Sequence, residues 1–215
     1  MNDTRTENGR HLFVVSAPSG AGKSTLTQTV VSRHPDIRLS ISCTTRPRRG
    51  DERHGREYFF LNQEEFSRMI ERGEFLEWAQ VHGHYYGTSR AHVEDLMKQG
   101  FKVLFDIDVQ GAASLKKQYR EATLIFIAPP SRAELERRLR ERKTDDPAEI
   151  KKRLRNALGE IYQAKTYDHV IVNDDLAAAV AQLEAVLLGR RLAKEDNEAI
   201  LARLLSEFRD DSAGA

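Results

Sequence analysis

The run Val15-Ser16-Ala17-Pro18-Ser19-Gly20-Ala21-Gly22-Lys23-Ser24-Thr25 gathers the residue types that hold a polyphosphate. Glycines let the backbone curl so that several N–H groups point inward, and a helix starting directly after them adds the partial positive charge of its N-terminus. Lys23 supplies a full charge, and the Ser24 hydroxyl can ligate the magnesium ion that travels with a nucleotide. Ala17, Pro18, Ser19, Gly20, Ala21, Gly22, Lys23, Ser24 and Thr25 are therefore candidate nucleotide-phosphate ligands. Ala17 stands where the usual pattern begins with glycine, which alanine can replace only at φ below zero. The competing reading is an ordinary Gly/Ser-rich turn between a strand and a helix.

Three other groups could do chemistry. Phe101-Lys102-Val103-Leu104-Phe105-Asp106-Ile107-Asp108 is a largely apolar strand that turns abruptly acidic. Open α/β sheets place ligands at the carboxyl ends of their strands, and an acid there, beside a phosphate loop, suits magnesium or its waters. Asp108 faces the same side of the sheet as Asp106 if the strand persists. Arg46, Arg48 and Arg49 form a basic loop; guanidinium forks bind phosphate bidentately, so the loop is either a seat for a second phosphorylated molecule or solvated surface. Tyr58 and Tyr86 are hydroxyl donors to such a seat or half-buried strand residues. The run Arg137-Arg138-Leu139-Arg140-Glu141-Arg142-Lys143, followed by Lys151-Lys152-Arg153, places cations on two helices, with Arg138 and Arg142 on one face. It is either a solvated charged surface or a set of arginines that close over a transferring phosphate. His82, His84 and Glu77 lack regular ligand spacing and define no metal site.

The elements that must position these groups alternate. Leu12-Phe13-Val14-Val15 is a short buried strand, and Leu26, Val30 and Val31 mark one side of the helix after the loop. Further strands are expected at 37–41, 58–60, 75–79, 81–86, 101–108, 123–128 and 169–172. Asn62 with Glu65 makes a capping box for a helix carrying Phe66, Met69 and Ile70, and Ser131 with Glu134 makes another for one carrying Leu135 and Leu139. A helix with Val93, Leu96 and Met97 stops at Gly100. Asp146-Pro147 opens a helix with Ile150, Leu154, Ala157, Leu158 and Ile161 on one face. Leu176, Val180, Leu183 and Leu187 face inward on the next, and Leu201, Leu204, Leu205 and Phe208 on a last amphipathic stretch. Strands alternating with helices give a three-layer α/β fold with a parallel sheet, and residues 42–88 read as an inserted lobe.

The whole chain sets bounds. Its 215 residues suffice for one α/β core with an inserted lobe. With 34 basic and 33 acidic residues the net charge is +1, which argues against a bulk nucleic-acid binder. The single cysteine, Cys43, rules out an intramolecular disulfide and fits a reducing cytoplasm. No apolar run approaches the ~20 residues of a membrane span, and residues 1–10 lack the apolar core of a signal peptide.

Taken together, Ser-Ala-Pro-Ser-Gly-Ala-Gly-Lys-Ser at 16–24, Thr-Thr-Arg at 44–46 with Arg49 and Glu52, Gly55 and Tyr58, Glu77-Trp78-Ala79, Tyr85-Tyr86-Gly87-Thr88, Asp106-Ile107-Asp108-Val109-Gln110-Gly111 and Ile171-Val172-Asn173-Asp174-Asp175 resemble guanylate kinase. The resemblance runs from about Leu12 to about Leu205 and looks most like the bacterial enzymes, several of whose phosphate loops also begin with alanine. It implies a P-loop nucleoside monophosphate kinase fold: a leader at 1–10, a kinase domain at 11–208 and a tail at 209–215. Within the domain it implies a core (11–39, 91–131 and 156–208), a GMP-binding lobe at 40–90 and a lid at 132–155. Carried over by position, Arg46, Arg49, Tyr58 and Tyr86 hold the GMP phosphate, Ser42, Glu77, Thr88 and Asp108 read guanine, and Glu52 helps close the lobe. Lys23, Arg46, Arg138, Arg142 and Arg153 serve the transfer itself, Asn173 lies near the adenine, and Ser24 and Asp106 serve Mg2+, partly through water. Thr88 stands where serine is frequent and Lys143 where glycine is frequent.

The implied reaction moves the γ-phosphoryl group of ATP to GMP, and to dGMP, in purine nucleotide metabolism in the cytoplasm, with neither nucleic acid nor membrane as partner. Two rival readings stay open: a kinase of another small phosphate such as ribose 1,5-bisphosphate, and a catalytically silent binding module. The former has no use for Ser42, Glu77 and Asp108; the latter generally carries a degraded phosphate loop, whereas Gly20, Gly22, Lys23 and Ser24 are intact. The last amphipathic helix packs either on its own core or on a second subunit of a homo-oligomer. Cys43 is either a small strand-end residue or, by its place beside Ser42, a target through which thiol reagents inhibit.

Overall fold

Leu12, Phe13, Val14 and Val15 are all buried, and with Ser16 they form strand β1 (Leu12–Ser16), apolar on both faces as a central parallel strand must be. The computed structural model describes residues 11–81, 83–141, 146–190, 192 and 194–210. The chain divides into two compact units.

The unit that holds the phosphate loop comprises Phe13–His34, Asp106–Val109 and residues 123–210. After β1 the chain turns through the loop into α1 (Lys23–Arg33), where Leu26, Thr27 and Val30 are buried and Val31 is half-buried. β8 (Thr123–Ala128) pairs parallel with β1 in the register Val15↔Ile125, and with β9 (His169–Val172) in the register Ile127↔Ile171. Between β8 and β9 come α5 (Arg132–Glu141) and α6 (Pro147–Gln163). Asp146 caps α6 through Glu149 N–H, with Pro147 at its first position, as the residue order predicts. Ile150, Leu154, Ala157 and Ile161 are its buried stripe. α7 (Leu176–Leu187) buries Ala179, Val180, Leu183, Val186 and Leu187. Leu176, expected to face inward, is 45% exposed: it is the first residue after the Asp175 cap, before the helix has settled onto the core. α8 (Lys194–Asp210) buries Leu201, Leu204, Leu205 and Phe208 and packs against α5, α6 and β9 of its own chain.

The other unit comprises residues 11–12, Pro35–Phe105 and Gln110–Ala122. β2 (Ile37–Leu39) pairs parallel with β7 (Lys102–Asp106). Both strands are shorter than expected. β2 stops before Ser40 and Ile41, and β7 ends at Asp106, so Ile107 and Asp108 lie in the turn into α4 (Val109–Gln118) and no strand carries Asp108 onto the face of Asp106. The α4 helix was not anticipated; its buried residues Val109, Ala112 and Leu115 are too few and too interrupted by Gly111 to announce a period. A second sheet, ordered β4-β3-β6-β5, is formed by β3 (Cys43–Thr44), β4 (Phe59–Phe60), β5 (Phe75–Val81) and β6 (His84–Ser89). β5 runs on to Val81, and β6 begins at His84, later than the expected strand at 81–86.

This sheet has a small core of its own. Phe66, on α2 (Gln63–Glu71), stacks on Phe75 at 4.4 Å and on Tyr85 at 5.4 Å, with Cys43, Phe59, Leu61, Met69 and Ile70 around it. Burying a phenylalanine contributes about 2–3 kcal/mol. The Asn62–Glu65 capping box that starts α2 is present in both halves. α3 (Arg90–Lys98) buries Val93 and ends before Gly100, whose φ is +85°.

Candidate active site

Gly20 and Gly22 have φ of +96° and +91°, a region open to glycine at little cost. Space closes the case at both. A Cβ on Gly20 would meet Leu135 and Leu139 of α5 at 3.1 Å, and a Cβ on Gly22 would lie 2.2 Å from Asn173 Nδ2. Gly22 is also the N-cap of α1, so Lys23, Ser24 and Thr25 form its first turn, where N–H groups lack helical partners. Ala21 N–H donates to Pro18 O at 3.0 Å, closing the turn. Ala17 is half-buried, and Ser19, Ser24 and Thr25 are exposed.

Four predicted residues converge on this loop within its unit. Lys23 Nζ lies 2.5 Å from Asp106 Oδ1 and donates to Ile107 O at 3.1 Å. Arg153 donates to Ser19 Oγ at 2.7 Å. Asn173, buried, donates from Nδ2 to Ala21 O at 2.7 Å, and Arg138 donates to Asn173 O at 3.0 Å. Glu134 orients Arg138 by accepting from its Nε at 2.7 Å. Ser131 Oγ caps Glu134 N–H as expected, while the Glu134 carboxylate binds Arg137 and Arg138, which hold its pKa down to about 2. Arg142, with Lys143, lies outside the described residues. The basic run of α5 is in large part matched charge: Arg137 pairs with Glu134 and Glu141, and Arg140 with Glu136.

Two residues here escaped the sequence reading. Glu134 appeared only as a cap. Glu160, on α6, feels both Asp108 and Lys23; burial first and the like charge of Asp108 second push its pKa up to about 7, against the pull of Lys23. Its signal was its place beside Ala157 and Ile161, a carboxylate edging an apolar stripe.

In the other unit Arg46 is only 7% exposed. It donates to both carboxylate oxygens of Glu52, at 2.7 and 3.0 Å, and to Pro47 O, and it lies 5.4 Å from the Tyr58 ring centroid. Glu52 also accepts from Arg49 N–H at 2.8 Å, and these bonds, Arg46 first, hold its pKa below the ordinary carboxylate range. Tyr86 stands edge-on to Tyr58, with ring centroids 6.0 Å apart. Arg48 is exposed over Phe60, 5.2 Å from the ring centroid. The hairpin registers Glu77 opposite Thr88, and buried Thr88 donates to Glu77 Oε1 at 2.5 Å. Ser42 is half-buried, and its carbonyl accepts Phe59 N–H. Asp108 is exposed and belongs to the phosphate-loop unit.

Cys43 is 3% exposed, and burial, with Glu77 adding, pushes its thiol pKa up to about 12. A buried, protonated thiol is inert, which overturns the expectation that it is a target for thiol reagents.

The family model described as guanylate kinase matches residues 9–189. A guanylate kinase of Symbiobacterium thermophilum is 46% identical over 91% of this chain and 93% of its own. One from a Polaromonas species is 50% identical over 85% of this chain and 88% of its own. The crystal structure of guanylate kinase from Anaplasma phagocytophilum superposes with a TM-score of 0.67 at 34% identity, covering 85% of this chain and 86% of that one.

Proposed function

The chain belongs to the guanylate kinase family, and from that membership we propose how its residues share the work of an ATP:GMP phosphotransferase. The γ-phosphoryl group of ATP passes to GMP, giving ADP and GDP. The observation that carries the reading is an intact phosphate loop in the same chain as a carboxylate set for guanine, Glu77 held by Thr88.

In the donor half, backbone N–H groups of the loop and Lys23 neutralise the β and γ oxygens of ATP, and Arg138, Arg142 and Arg153 add charge as the phosphoryl group transfers. Asn173 belongs to the same half. In the acceptor half, Arg46, Arg49, Tyr58 and Tyr86 hold the GMP phosphate, with Glu52 setting Arg46. Ser42, Glu77, Thr88 and Asp108 read the base. The attacking phosphate oxygen is anionic at neutral pH, so no general base is needed, and catalysis is positioning with charge stabilisation. Excluding water prevents hydrolysis of ATP.

Ser24, exposed in the first turn of α1, and Asp106 are hard oxygen donors of the kind Mg2+ takes. Among the described residues no group of three or more His, Cys, Asp or Glu could hold a metal, which fits an ion that comes with the nucleotide. When bound there, Mg2+ would offset the negative charge of the phosphates during transfer.

The partners proposed are ATP, GMP and dGMP, with neither nucleic acid nor membrane; among the described residues no helix is long and apolar enough to cross a membrane. A lone, buried cysteine suits the cytoplasm. Any homo-oligomer would use a face other than the apolar stripe of α8, which is buried on its own chain. ADP formation that depends on GMP tests the reading.

A further inference from the structure

Ala21 is fully buried, and its carbonyl oxygen receives Asn173 Nδ2 at 2.7 Å. A trans peptide is planar, so its C=O and N–H point in opposite directions. Fixing Ala21 O on Asn173 therefore directs Gly22 N–H the other way. In a phosphate loop that N–H is one of the cradle's donors. Turning this peptide over would put a carbonyl oxygen where phosphate needs a donor. Nothing but Gly22 fits beside the amide, since a Cβ there would be 2.2 Å from Nδ2. The same residue meets the α5 arginine, because Arg138 donates to Asn173 O at 3.0 Å.

We propose that Asn173 is a positioning residue of the phosphate loop: its side-chain amide holds the Ala21–Gly22 peptide in the donor-inward orientation and thereby tightens binding of the triphosphate, independent of the base. The proposal rests on the reading that this loop takes the donor nucleotide. It differs from a role for Asn173 at the adenine, because the amide hydrogen that the geometry accounts for is spent on the loop.

The test measures binding by calorimetry, apart from turnover, using Asn173→Leu, which keeps the size and branching of the side chain and removes the donor. The probes are ATP and inorganic tripolyphosphate, each with magnesium. Leaving a buried carbonyl without its partner should raise both dissociation constants by the same factor, about tenfold, while the KM for GMP stays within about twofold. If ATP weakens and tripolyphosphate does not, Asn173 acts on the base and the proposal fails. If neither weakens in a folded variant, it fails as well. Asn173→Ala, a simple truncation, replaces Asn173→Leu if that variant does not fold, and is read by the same outcomes. Wild-type protein that binds tripolyphosphate but makes no ADP with GMP would overturn the kinase reading and leave this one standing.

Discussion

Thr88 Oγ1 donates to Glu77 Oε1 at 2.5 Å, between residues paired directly across β5 and β6. Because Thr88 is fully buried, water does not compete for this bond, which orients the carboxylate of Glu77. Guanine presents N1–H and a 2-amino group side by side, which one carboxylate accepts together. Adenine offers a lone pair at N1 instead.

Glu77→Gln keeps the shape and replaces one acceptor by a donor. Losing such a charged hydrogen bond costs about 2 kcal/mol or more, so kcat/KM for GMP should fall about thirtyfold or more, with the KM for ATP nearly unchanged. Steady-state kinetics with each substrate varied in turn checks this. A fall in ATP affinity of the same size would remove Glu77 from the acceptor side.

Lys23 is the full positive charge of the phosphate loop, ion-paired with Asp106. Lys23→Ala should lower kcat by about a thousandfold, as removal of a charge from a phosphoryl-transfer site does. The pair is partly open to water, so its loss should cost no more than about 1 kcal/mol of stability. Near-normal turnover in a variant with an unchanged circular dichroism spectrum would contradict the assignment.

Glu160 gives stability a pH dependence of definite sign. Its carboxyl group has an ordinary pKa of 4.5 and, in the folded protein, one of about 7. Between those values the folded chain binds more protons than the unfolded one, so this group makes stability fall as pH rises through that window. The full cost above pH 7 is on the order of 3 kcal/mol. Glu160→Gln should therefore raise the Tm at pH 8 and leave it little changed at pH 4.5. Thermal melts across that range decide it, and a variant whose melting profile parallels the wild type would show that Glu160 ionises normally.

The parallel order of the fold was legible because its strands at 12–16, 123–128 and 169–172 are apolar on both faces and end in turn chemistry. The caps Asn62 and Asp146 were legible for the same local reason: each bonds an N–H three residues on. α4 was not, since three buried residues spread over ten do not set a period. Leu176 misled because helical spacing counts a first-turn residue like any other, although its neighbours do not yet cover it. Of the residues proposed for the site, Lys23 and the Arg46 loop stand out by residue type and spacing, whereas Glu77 enters only through the resemblance. Glu160 could not be read in either way: its approach to Asp108 and Lys23 follows from packing across a long sequence separation. The Glu134–Arg138 pair is an i,i+4 contact within one helix, which spacing offered and the cap at Ser131 overshadowed.

As a guanylate kinase, this chain moves a phosphoryl group from ATP to a guanine nucleotide. Initial rates of ADP formation with GMP, dGMP, AMP and ribose 1,5-bisphosphate as alternative acceptors test it most directly. ADP should form rapidly with GMP and dGMP, little with AMP or the ribose bisphosphate, and almost not at all with acceptor omitted. A preference for AMP or for the ribose bisphosphate, or silence with all four acceptors, would contradict it.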